Sequence, residues 1–166
     1  MALEVEDGTA KADAESYLSV TDADSYFANR GYTLWATMST NEKEQALRRS
    51  ADYMKAAYGP RWLGYRVSAS QALDWPRSGV VARGFSVASD AIPTEVKNAC
   101  AELAFKAAGG DLAPDIGQRA LREKVDVIEV EYDRYSPQFT QFRAVDNMLA
   151  PFLSDLGGAV RRVVRA

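Results

Sequence analysis

"STNEKEQALRRSADYMKAAYG", residues 39–59, decides the fold. Ser39 stands where a helix N-cap accepts backbone N–H groups, and Glu42 follows at the spacing of a capping box. Leu47, Ala51, Met54 and Tyr58 then recur at helical spacing, while Glu44 with Arg48 and Arg48 with Asp52 make i,i+4 pairs on another face. This pattern predicts a long amphipathic helix ended by Gly59-Pro60. A helix of this kind is stable only when other elements cover its apolar side.

Working outward, three more stretches supply those elements. "SVTDADSYFANRG" (19–31) predicts a helix capped by Thr21, with Asp24 closing the box, Tyr26 and Phe27 inside and Gly31 at the end. "IPTEVKNACAELAFKAAGG" (92–110) predicts another, with Pro93 in its first turn and a stripe of Val96, Cys100, Leu103, Ala104 and Ala107. Cys100 lies on that stripe and reads as a buried structural thiol. "AVDNMLAPFLSDL" (144–156) predicts a short last helix broken at Pro151.

Between these elements the signals change. Residues 61–92 form an irregular stretch, unusually long for a loop inside a small domain, in which "SASQALDW" (68–75) reads as a short helix capped by Ser68 or Ser70. In "REKVDVIEVEYD" (122–133), Ile128, Val130 and Tyr132 alternate with Glu129 and Glu131 as in a half-buried strand. Its partner is either a weak strand near Phe85–Val87 or a neighbouring subunit. Residues 1–16 read as an extended arm and "GGAVRRVVRA" (157–166) as a hinged basic tail. The expected fold is mainly α: a small helical bundle with a long central loop, a short β-strand or hairpin, and extended arms at both ends. It forms one domain over 1–156, followed by the tail 157–166.

Composition narrows the function. With 166 residues, 47% of them hydrophobic, the chain has enough apolar surface for one core. The acidic start lacks the pattern of a secretory signal, no run is long enough to span a bilayer, and the single cysteine fits a reducing cytoplasm. Absence of histidine removes Ser-His-Asp and Cys-His triads and His-ligated metal sites. Ser78 has no neighbouring base, phosphate-loop and dinucleotide motifs are absent, and the acids Glu123, Asp126, Glu129 and Glu131 lack the glycine-centred run of a calcium loop. The reading is of a non-enzyme without metal or cofactor.

Charge is segregated along the chain. Residues 1–30 carry seven acids against two bases, whereas 59–89 carry four arginines against Asp74, and 134–166 carry five arginines against two aspartates. Opposite signs at the two ends suit contacts between copies or with a charged partner. Within "GPRWLGYRVSASQALDWPRSGVVARGF" (59–85), four arginines interleave with Trp62, Tyr65, Trp75 and Phe85. Such interleaving suits single-stranded nucleic acid, because arginines follow phosphates while aromatic faces stack on bases. The alternative is that the tryptophans are core anchors with arginines stacked on them. In "QALDWPRSGV" (71–80), Trp75 and Pro76 read as the structural anchor and Arg77 as the residue facing a partner. Arg61, Trp62, Arg66, Arg77, Arg83, Glu129, Glu131, Arg161, Arg162 and Arg165 are the candidate interface.

Four blocks in the same order carry a resemblance: "VEDGTAKADAESYLSVTDADSYFANRG", "SADYMKAAYGPRWLGYRVSASQALDWPRSGV", "ASDAIPTEVKNACAELAFKAAGGDL" and "LREKVDVIEVEYD". Together they cover about residues 4–155 and resemble small tailed-phage and prophage proteins labelled DnaT-like single-stranded DNA-binding proteins, whose implied role is that of head-tail connectors (adaptors). The resemblance implies a virion structural protein, assembled in the bacterial host cytoplasm. It would form a homo-oligomeric ring, a dodecamer, that docks on the portal protein and extends the DNA channel. Its further partners would be a downstream neck or tail-completion protein and, without sequence preference, the dsDNA in the channel; no membrane is involved. The alternative is single-stranded DNA binding by Arg61, Trp62, Arg66, Trp75 and Arg77.

Overall fold

Thr40–Tyr58 forms the helix that the 39–59 stretch predicts. In the computed structural model, which describes residues 2–115, 122–125, 128–131 and 140–154, Ser39 and Glu42 close the expected capping box. Leu47, Ala51, Met54 and Tyr58 are all buried. Arg48 pairs with Glu44 at 3.4 Å and, across to the N-terminal segment, with Glu15 at 2.9 Å.

This helix is α3; α1 (Val20–Ala28) and α2 (Thr33–Ala36) precede it. α1 begins earlier than a Thr21 cap would allow, because Ser19 and Asp22 make the box instead. Both pairs have the right spacing, and the Ser19 register leaves Asp24 free for other work. Its carboxylate accepts the Trp35 indole N–H at 2.7 Å and pairs with the ammonium of Lys43 at 2.9 Å. α2 has no counterpart in the sequence reading, and it exists to bring Trp35, 1% exposed, under α1.

α4 (Thr94–Gly109) packs along α3, and α5 (Arg143–Leu149) packs on α4. Pro93 caps α4 from outside rather than sitting in its first turn. The predicted stripe of α4 is buried throughout. On it the Cys100 sulfur lies 3.0 Å from the Ser50 hydroxyl, and burial pushes the thiol above its ordinary pKa. Two phenols tie the helices further: Tyr26 donates to Glu102 and Tyr58 to Asp146, at 2.8 and 2.7 Å. After α5 the chain tightens into a 3-10 turn at Ala150–Phe152 around Pro151, as the proline requires. A mainly α fold is what the helical periodicity predicts.

The central stretch departs from that prediction. It is organised by two short antiparallel ladders, β1 (Tyr65–Arg66) with β2 (Arg77–Ser78) and β3 (Val81–Ala82) with β4 (Phe85–Ser86). Residues 68–75 are bends and irregular chain rather than a short helix. The Gln71 side chain sits at their centre, 2% exposed, where it accepts from the Ser68 N–H and donates to the carbonyls of Leu73 and Pro76. The strand Ile128–Glu131 (β6) does not pair with Phe85–Val87. Its partner is β5 (Arg122–Val125), the segment just before it, in a register that sets Lys124 opposite Glu129 and Arg122 opposite Glu131. The alternation made β6 visible, while the charged sequence of β5 hid its mate.

Residues 2–18 run without helix, but they are seated against the core instead of standing off as an arm. Glu6 is 1% exposed and its carboxylate accepts the backbone N–H groups of Gly8, Ala10 and Lys11 at 2.8–3.0 Å. Gly8 holds φ at +107°, and a Cβ built there would lie 1.9 Å from the Asp90 carbonyl oxygen. Gly8→Ala therefore combines backbone strain with a clash, and we expect it to lower the unfolding free energy by about 2–4 kcal/mol. Chemical denaturation checks this; a loss below about 0.5 kcal/mol, the range of ordinary surface substitutions, would show that this loop does not clamp the 90 region. The tail 157–166 lies outside the described residues.

Candidate nucleic-acid interface

The loop of interleaved arginines and aromatics divides into an inner and an outer set. Trp62 and Trp75 are inside, 6% and 0% exposed. Their rings pack edge to face at 5.8 Å, and Trp75 meets Phe152 in the same way at 5.7 Å, so Trp75 joins the loop to the C-terminal 3-10 turn. Pro76 follows it through a cis peptide bond and is also buried.

Arg77 belongs to the inner set too, which corrects the expectation that it faces a partner. It is 7% exposed, and its guanidinium donates to the Leu63, Gly64 and Asp74 carbonyls at 2.7, 2.8 and 3.2 Å. A planar fork of donors is what three converging carbonyls need. The N-terminal segment completes this knot: the Tyr17 hydroxyl, on a residue 1% exposed, accepts the N–H groups of Asp74 and Trp75. Sequence gave no signal for this contact, since Tyr17 and Asp74 are far apart in the chain.

Asp74 carries the electrostatic strain of the knot. Burial raises its carboxyl above the usual aspartate value, while Arg77, Arg66 and Lys55 act in the opposite sense. The Trp62 indole N–H faces this carboxyl without closing a hydrogen bond, and Oδ2 has no partner among the described residues. With the folded value above the unfolded one, the folded state holds a proton that the unfolded state releases. Asp74 therefore favours folding most at acid pH, and that contribution is lost as pH rises from the ordinary aspartate range through the raised value. We expect Asp74→Asn to remove this part of the acid-range slope of stability against pH. Urea unfolding from pH 3 to 7 measures it, and identical slopes in the two proteins would contradict the assignment.

The outer set is different in kind. Tyr65 on β1 and Phe85 on β4 are each 78% exposed, with Val67 just after β1 and Val81 on the paired strand β3 at 47% and 57%. Arg61, Arg66 and Arg83 are exposed as well. The two hairpins are separated only by Gly79 and Val80, and Val80 and Val87 share a backbone hydrogen bond at 2.9 Å. Gly64 lets β1 and β2 close up: at φ +67°, a Cβ there would come within 2.3 Å of the Ser78 carbonyl. Arg66 reaches back to the Gln71 carbonyl, and Arg83 pairs with Glu95 at 2.8 Å.

Of the sequence-derived interface, then, Arg61, Arg66 and Arg83 reach the surface while Trp62 and Arg77 do not. The side chains of Glu129 and Glu131, and Arg161, Arg162 and Arg165, lie outside the described residues. Tyr65 and Phe85 take the exposed aromatic role given to the tryptophans; that the hairpins turn these two rings outward and the tryptophans inward is what the sequence did not disclose. Among the described residues no three His, Cys, Asp or Glu side chains gather as a metal site. No described helix is long and apolar enough to cross a membrane.

A family model described as "Putative DnaT-like ssDNA binding protein" matches residues 1–166. The chain belongs to this DnaT-like family. The match extends the sequence resemblance to the whole chain, and its description names single-stranded DNA rather than a head-tail connector. No curated protein and no solved structure matches this DnaT-like chain.

Proposed function

We propose that this DnaT-like protein binds single-stranded DNA along the outer edge of its two central hairpins. The observation that carries the reading is the exposure of Tyr65 and Phe85, 78% each, beside three exposed arginines within 61–83. Exposed aromatic faces stack on bases of any sequence, and the arginines supply charge for the phosphates between them. The local excess of positive charge over 59–89 serves this purpose although the whole chain carries −3. Titration of a labelled oligonucleotide at two salt concentrations tests it. Binding that weakens steeply with salt is expected, and no salt-sensitive binding at micromolar protein would remove the proposal.

A second reading, the ring-forming head-tail connector, is favoured by surface that stacking on bases does not use. Val67, Val81 and Leu34 are exposed aliphatics, Leu34 to 68%, and side chains of this kind suit protein partners. Under this reading the hairpins meet a neighbouring copy or the portal, and the protein acts in the virion without catalysis. Sedimentation with purified portal protein separates the two: co-sedimentation as a ring supports the connector, and a protein that stays free of the portal counts against it.

A further inference from the structure

Beside Phe85 lies an open cleft of about 300 Å³, walled by Phe85, Val87, Pro93 and Phe152 and rimmed by Arg83 and Glu95. This is the lower end of the size range of small-ligand sites, and its composition, apolar walls with a few polar groups at the edge, is of the same type.

The turn that builds it carries a backbone outlier. β3 and β4 are joined by Arg83 and Gly84, which hold φ at +52° and +85°. Positive φ at both positions is what a two-residue hairpin of matched twist demands, and Asn, Asp or Gly ordinarily fills the first of them. An arginine there is strained, and its side chain is fixed by the Glu95 carboxylate at 2.8 Å. That bond engages Oε1 of Glu95, leaving Oε2 as an acceptor at the cleft rim.

We propose that this cleft takes one unstacked nucleobase, held against Phe85, and that Glu95 selects bases carrying an exocyclic amino group, cytosine first. The inference rests on the single-stranded DNA reading and adds a base preference to it. A carboxylate accepts from the cytosine N4 amino group, whereas thymine presents a carbonyl at the same place and is repelled. Arg83, the more exposed partner of the ion pair, supplies charge for the phosphate that enters with the base.

The test is titration of deoxycytidine and deoxythymidine homopolymers of about fifteen nucleotides with the full chain and with Phe85→Ala, Glu95→Gln and Tyr65→Ala. The wild type should bind the cytidine strand at least about fivefold more tightly than the thymidine strand. Phe85→Ala should weaken the cytidine strand by at least about fivefold, and Glu95→Gln should bring the two strands to equal affinity. Equal wild-type affinities, a preference that survives Glu95→Gln, or loss of binding in Tyr65→Ala but not in Phe85→Ala overturns the cleft alone. Failure of both strands to bind at low salt overturns the cleft and the single-stranded DNA reading together.

Discussion

Trp75→Ala is expected to lower the unfolding free energy by about 3–5 kcal/mol. The ring is fully enclosed, and it stands between Trp62 on one side and Phe152 on the other. Truncation removes two edge-to-face contacts as well as buried area, and it leaves a cavity that the packed core around it fills only in part. Because Tyr17 accepts the N–H groups of Asp74 and Trp75, the N-terminal segment should loosen with the loop. Chemical denaturation reads the loss, and hydrogen exchange around residues 6–18 reads the loosening. If Trp75→Phe recovers less than half of the difference, the edge-to-face geometry matters beyond simple filling of space.

Arg77→Ala should cost a similar amount, about 3–5 kcal/mol, by a different route. Three carbonyls lose their donors at once, each worth about 1–3 kcal/mol when left buried without a partner, and Asp74 loses the largest influence that opposes its burial. Arg77→Lys should recover only part, since one ammonium cannot reproduce a fork aimed at the Leu63, Gly64 and Asp74 carbonyls. Thermal and urea unfolding of the two variants decide the matter. An Arg77→Ala protein as stable as the wild type, yet defective in binding a partner, would return Arg77 to the surface role that its sequence context suggests.

The contrast between these arginines explains what the sequence could disclose. The helices other than the four-residue, uncapped α2 were legible because capping and periodicity are local: Ser39 and Glu42, or the stripe from Val96 to Ala107, lie within one element. Even so, two boxes of equal spacing competed at the start of α1, and the contact of Asp24 with Trp35 and Lys43, invisible in the local pattern, chose between them. Inside 61–92 the decisive partners were distant in sequence or were backbone carbonyls. Arg77 and Arg83 look alike in sequence, each beside turn residues and near an aromatic. One points inward because Leu63 and Gly64 cross beneath it, and the other points outward from a two-residue turn. The N-terminal residues read as an arm because nothing in "EDGTAK" shows that the Glu6 carboxylate folds the loop around itself.

The loop divides into an inner scaffold and an outer face. The scaffold residues Trp62, Trp75 and Arg77 hold the hairpins in place, and the face made by Tyr65, Phe85, Arg61, Arg66 and Arg83 does the binding. Hydrogen–deuterium exchange of the full chain, with and without a saturating single-stranded oligonucleotide at low salt, tests this most directly. Added protection is expected within residues 61–87 and at the first turn of α4, where Glu95 stands, with the α3 amides and the rest of α4 unchanged. Protection elsewhere with none in 61–87, or no change anywhere, would contradict it.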